Sequence, residues 1–180
     1  MSESSTRNFN HLKIHSQYSI CEGAVKIDDL QDFSKVNKLK SLGLCDTSNL
    51  CGALEFAEKI SKVGTQPIIG TQINFKFGDC IGLLPLFALN EEGYKRIIKL
   101  SSISFLENDE LSDPHVDFKD LLDDNTGVAV FSGTIFGLFG ELYNKGKFSE
   151  ILDLYKKLKL NFGDRFYIEI QRHNDQNESG

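Results

Sequence analysis

Short apolar runs alternate with amphipathic stretches along the chain. Residues 11–15 are read as a first strand that leads into a polar stretch over 16–23. Ile27, Leu30 and Phe33, spaced by three, predict a helix. Residues 41–45 form a short apolar strand ending at Asp46. The sharpest helix comes next: Asn49 stands where a cap belongs, Leu50, Ala53, Leu54, Ala57 and Ile60 draw one apolar stripe, and Gly64 closes it. Residues 67–75 and 81–89 predict two strands. Pro85 assigns an edge or a bulge to the second, because proline gives no N–H to a ladder. Asn90 opens a further helix with Tyr94, Ile97, Ile98 and Phe105 read as its inner face. A polar loop over 107–115, a short helix near 117–122 and a buried strand over 128–132 follow. Phe148, Ile151, Leu152, Tyr155 and Leu158 mark one more helix, and residues 166–171 alternate like a half-exposed strand.

Strand-then-helix units repeated in this way predict an α/β fold with a mostly parallel sheet or barrel, whose strand-end loops carry the chemistry. Residues 1–10 are polar and read as a loose tail; residues 11–180 read as one domain. The pattern stops on a strand with no helix after it, so the fold is expected to be incomplete at its C-terminal end. At 180 residues, 40% hydrophobic and 26% charged, the composition is that of an ordinary globular domain. No apolar run approaches the roughly 20 residues of a membrane helix, and no signal-peptide core is present, which predicts a cytoplasmic protein without a membrane partner.

Two further features narrow the chemistry. The four cysteines, Cys21, Cys45, Cys51 and Cys80, show no C-x-x-C pair and are read as small buried hydrophobes. The net charge is −6, and the densest basic run, Lys156-Lys157 with Lys159, shares its helix with Glu150 and Asp153. It is read as a solvated face, which disfavours a direct grip on DNA.

Candidate metal ligands fall at the predicted strand ends. His15 ends the first strand, Asp46 ends the second, and Glu22 lies in the loop between them. Imidazole and carboxylates so placed could hold zinc, manganese or iron, although scattered His, Asp and Glu at loop starts are also ordinary caps.

The sequence His11-Leu12-Lys13-Ile14-His15-Ser16-Gln17-Tyr18-Ser19 resembles the opening motif of the PHP domains found at the amino terminus of bacterial DNA polymerase III alpha subunits. Agreement continues in order through Glu22-Gly23, Asp46 with Asn49-Leu50, and Pro67-Ile68-Ile69-Gly70. Asn90-Glu91-Glu92-Gly93-Tyr94 and Phe131-Ser132-Gly133 follow, and the resemblance spans residues 9 to 173. It implies a PHP-type distorted (β/α)7 barrel.

The departures from that pattern bear on function. Relatives with an intact site have histidine where this chain has Lys13, and histidine where it has Thr47. Gln72 replaces an acidic ligand, Leu83 a histidine and Thr134 a cysteine, whereas His15, Glu22 and Asp46 survive. The family's last ligand pair, Asp-x-His, would lie beyond Gly180. The resemblance therefore implies a degenerate metal site, no cofactor in this chain and no activity of its own. It also implies a parent polymerase with Mg2+ in a distant palm domain, a vestigial 3'-5' exonuclease function, and a proofreading exonuclease subunit as partner. DNA would be met only indirectly. Lys13 is read either as a cation paired with Asp46 or Glu22, or as an exposed strand residue. On strand alternation, Lys13, His15 and His11 would share one face while Leu12 and Ile14 face the helices. The competing reading is a free-standing, histidinol-phosphatase-like PHP phosphoesterase.

Overall fold

The computed structural model describes residues 9–108 and 112–171. The tail expected over 1–10 thus lies outside the described residues except for Phe9 and Asn10, as does His173. Six strands form one sheet: β1 (Ser41–Thr47), β2 (Gln66–Phe77), β3 (Cys80–Ala88), β4 (Val116–Asp117), β5 (Val128–Phe131) and β6 (Phe166–Tyr167). Among the described residues six α-helices accompany it: α1 (Ile27–Asn37), α2 (Ala53–Lys62), α3 (Glu91–Leu106), α4 (Phe118–Asp123), α5 (Leu138–Asn144) and α6 (Phe148–Phe162).

The strand order is β1-β2-β3-β5-β6, with β4 beside the far end of β2. The sheet is mixed, where a mostly parallel one was expected. β1 and β2 run parallel, β2–β3 and β3–β5 antiparallel, and β5–β6 parallel. The reason lies in two residues. Phe77 pairs with Cys80, so only Gly78 and Asp79 join β2 to β3. Gly78 sits at φ +62, the positive value that a two-residue hairpin with glycine at its first position needs. Pro85 falls just outside the β3–β5 register, which begins at Leu86. The missing N–H is thereby tolerated in a strand that is interior elsewhere, not an edge.

Alternation along the strands separates two faces. Ile73, Phe75, Leu84 and Leu86 face α3, α5 and α6 in the largest core, which also contains Ile97, Leu100, Leu142, Leu154 and Leu158. Leu42 and Leu44 face α1 and α2, packing on Ile27, Leu30, Phe56 and Ile60. The opposite face carries a smaller cluster of Cys45, Phe87 and Ala129, flanked by Leu12, Ile68 and Phe131.

Several helices are rotated from the expected faces. Phe33, Leu54, Ile98, Phe105, Phe148, Leu152 and Tyr155 are exposed, while Ser34, Phe56, Leu100, Ser104, Leu154 and Phe162 turn inward. Asn90 caps α3 as expected, accepting from the Gly93 amide at 2.9 Å. Asn49 instead caps a preceding turn, accepting from Cys51 N at 3.0 Å, and Gly52 is the residue before α2. Helix α5, unread in the sequence, has Gly140 against Ile135 O, where a Cβ would have no room. Cys45 and Cys80 are buried as expected, but Cys21 and Cys51 are exposed.

Candidate functional site

The segment 11–15 lies along β1 but is not a regular strand. Gly43 N donates to His11 O at 2.7 Å and Cys45 N to Ile14 O at 2.8 Å. Two residues of β1 therefore span three of its neighbour. One residue is extra, a bulge between the two bonds, and it reverses the facing of side chains across it. Ile14 packs against the α1–α2 cluster as alternation predicts, but Leu12 packs against the opposite cluster of Cys45 and Phe87. His11 leaves the expected site face altogether and sets its ring edge-on to Phe9 and Phe33.

At the ends of these strands lies a cavity of about 500 Å³, lined by Lys13, His15, Glu22, Gln72, Leu83 and Thr134, together with Gly133, Phe136, Gly137 and Gln171. Six of the eight positions singled out by sequence thus converge. Thr47 joins them at the rim. Its register partner across the parallel ladder is Gln72, whose Nε2 donates to Thr47 Oγ1 at 2.8 Å, while the Thr47 hydroxyl donates to the Glu22 carboxylate.

Asp46 does not line the cavity. It follows Leu42 and Leu44 at two-residue spacing, on the helix-facing side of β1, and only 1% of it is exposed. One carboxylate oxygen accepts from Ser16 N at 2.6 Å and Ser19 Oγ at 2.7 Å; the other accepts from Ser16 Oγ at 2.8 Å. Ser19 Oγ in turn accepts from Thr47 N at 3.0 Å. Asp46 thus ties the 16–19 loop to β1. Tyr18 in that loop donates to Glu55 at 2.8 Å. Lys59, and then Tyr18, hold the Glu55 carboxyl below the usual range.

Lys13 does face the cavity, but its partner is neither Asp46 nor Glu22. Its Nζ lies 3.2 and 3.4 Å from the two oxygens of Glu169, with 17% and 12% of the two side chains exposed. Glu169 was missed in the sequence. It stands two residues before Gln171 in the alternating C-terminal segment, and no local signal marks a partner 156 positions away. Gln171 Nε2 donates to Glu169 Oε1 at 3.0 Å.

The comparisons with known proteins settle the family. The PHP domain family matches residues 11–173. The chain belongs to that family. Its six-stranded sheet is, over the described residues, an open and incomplete version of the PHP-type distorted barrel. This PHP domain is 35% identical over 186 residues to DNA polymerase III subunit alpha of Caulobacter vibrioides, covering 96% of this chain and 16% of that one. It is 37% identical over 166 residues to the same subunit of Rickettsia felis, covering 92% and 14%. For Borreliella burgdorferi the figures are 36% over 176 residues, 92% and 15%. The PHP domain is therefore homologous to bacterial polymerase alpha subunits, and it spans about one seventh of their length.

The family implies a metal cluster, and the residues of this PHP domain do not fit one. His15 keeps one feature of a ligand, a buried Nδ1 without a hydrogen-bond partner. Around it the donor set is short. Asp46 is engaged on the far side of β1, Gln72 and Thr134 are neutral, and Leu83 offers no donor at all. Burial pushes the Cys45 thiol up, which keeps it from serving as a thiolate. The Lys13 ammonium adds a fixed positive charge to the same cavity. Among the described residues no group of three or more His, Cys, Asp or Glu is placed to hold a metal ion. No described helix is long and apolar enough to cross a membrane.

Proposed function

We propose that this PHP domain is the PHP module of a bacterial replicative DNA polymerase alpha subunit, working in the cytoplasm as a scaffold and as a docking platform for a proofreading exonuclease. Its own phosphoesterase site is degenerate, and residues 11–180 act as one unit. Nucleotidyl transfer belongs to the rest of the polymerase chain, with its Mg2+ carboxylates in a palm domain, and contact with DNA is made there. The polymerase relatives support the assignment. One observation carries the scaffold role: apart from His15 Nδ1, the polar groups around the cavity are engaged with one another, Lys13 with Glu169, Thr47 with Glu22, and Gln72 with Thr47. A site built in this way has little to offer a cation, because metal affinity requires several anionic or imidazole donors free to replace water.

Elemental analysis of the purified chain should find no stoichiometric zinc, manganese or iron. Hydrolysis of a chromogenic phosphodiester, with Mn2+ or Zn2+ supplied, should not exceed that of a His15→Ala variant, since no bound ion would lower the pKa of an attacking water. The unpartnered His15 nitrogen favours the other reading, a free-standing metal-dependent phosphoesterase. Metal-dependent turnover that disappears in His15→Ala would establish that reading and remove the scaffold proposal.

A further inference from the structure

We infer that the Lys13 ammonium serves this domain as a built-in cation, clasping Glu169 across the cavity and so joining the amino-terminal segment to the carboxy-terminal one. The inference rests on the reading that the cavity is not a metal centre. The two residues are 156 positions apart in sequence, yet both carboxylate oxygens lie within 3.4 Å of Nζ. Each segment is otherwise held by local contacts: Leu12 and Ile14 pack on opposite sides of β1, and Phe166 and Tyr167 pair with β5. Residues 11–15 are joined to β1 by the His11 and Ile14 carbonyls, on either side of a bulge. Beyond β6, Glu169 N donates to Ser132 Oγ at 2.9 Å, but Ile168 and Ile170 are 59% and 81% exposed and contribute little burial. Among the described residues the Lys13–Glu169 ion pair is a side-chain contact that spans the gap.

Its position explains why a cation is needed there. The Glu169 side chain is largely withdrawn from water, with 12% of it exposed. A carboxylate so placed requires a counter-charge, and a half-buried pair broken on one side leaves the other side uncompensated. A metal ion would neutralise such a carboxylate by coordination; the ammonium does so as part of the chain. Lys13 therefore performs the cross-linking part of a metal's role with none of its Lewis acidity.

Hydrogen exchange on the 180-residue chain tests the clasp. K13M and E169Q should each speed exchange in both 11–15 and 166–171, on the order of tenfold, while the α3 and β2 amides change little. The double variant K13M/E169Q should lie closer to the wild type than the sum of the singles, because neither charge is then left alone. Should a single variant unfold, the charge-exchanged K13E/E169K chain decides: restored protection supports the clasp, and continued unfolding overturns it. Single variants that exchange like the wild type, or effects that simply add, also overturn it while leaving the scaffold reading in place. A separate arm adds ZnCl2 or MnCl2 to the wild type and reads the melting temperature. No shift is expected. A rise lost in His15→Ala would overturn both the clasp and the scaffold reading.

Discussion

Asp46 shows how a residue can survive in a degenerate site for a reason unrelated to the old chemistry. Its carboxylate receives three donors from the 16–19 loop, and a buried donor deprived of its acceptor costs about 1–3 kcal/mol. Asp46→Ala should therefore lower stability by roughly 3 kcal/mol, and Asp46→Asn by about half as much, since the amide keeps one acceptor for Ser16 N. Urea denaturation with and without EDTA checks both numbers. The same loss in the two conditions is expected, whereas an EDTA effect in the wild type that vanishes in Asp46→Ala would make Asp46 a metal ligand. Lys13, His15, Glu22, Gln72, Leu83 and Thr134 were legible as one site because family order supplied what spacing alone could not. The facing of Asp46 went unread although its two-residue spacing from the apolar Leu42 and Leu44 carried it, because the family motif drew it to the metal site instead. Glu169 was hidden for a different reason: its partner is distant in sequence, and no local pattern encodes such a pairing.

At the level of elements, the bulge at 11–14 decides where Lys13 points. It depends on Gly43, since a Cβ there would stand 2.3 Å from Leu12 O. Gly43→Ala should push the amino-terminal segment off β1, costing about 2 kcal/mol, within the usual range for overpacking. Faster exchange of the amides at positions 43 and 45 is the specific readout; an unchanged melting temperature with both amides still protected would refute the account. Element existence was well marked by hydrophobic period, but helix facing was less so. In α2, Leu54 and Phe56 are both apolar, and either could have belonged to the stripe. Tertiary packing chose Phe56, which is fully buried, and left Leu54 72% exposed. The alternation over 166–171 suggested a longer strand than β6, which pairs with β5 only at Phe166 and Tyr167. Helix α5 escaped notice because it is a short segment interrupted by Gly140, which has to be glycine to clear Ile135 O.

For the whole molecule, the alternating pattern specified an α/β sheet with helices around it but not the strand directions, because one Gly-Asp pair at 78–79 turned an expected crossover into a hairpin. Charge is the other property that belongs to the whole, and it bears on the proposed scaffold role. The chain carries −6, and many of its cations already have local anions. Lys13 pairs with Glu169, Lys59 with Asp28 and Glu55, Lys95 with Glu91, Lys147 with Asp79 and Glu150, and Lys157 with Asp153. Arg96 is buried, donating to the Asp120 and Asp124 carbonyls, and Arg165 donates to Asn125 O and Val128 O. Neither guanidinium is free to meet a phosphate. A protein gains DNA affinity by releasing condensed counterions from phosphates, one for each cation it places there, and non-specific binders of this kind reach about 10⁻⁴–10⁻⁶ M at physiological salt. Other lysines have no such partner, but the domain as a whole carries a net repulsion that any contact with DNA has to overcome. Fluorescence anisotropy with labelled single- and double-stranded DNA should therefore give a Kd weaker than about 10⁻⁴ M, even at low salt. Micromolar binding that weakens steeply as salt is added would mean that unpaired lysines gather into a basic face after all. Direct contact of this domain with DNA would then count against the proposed scaffold role.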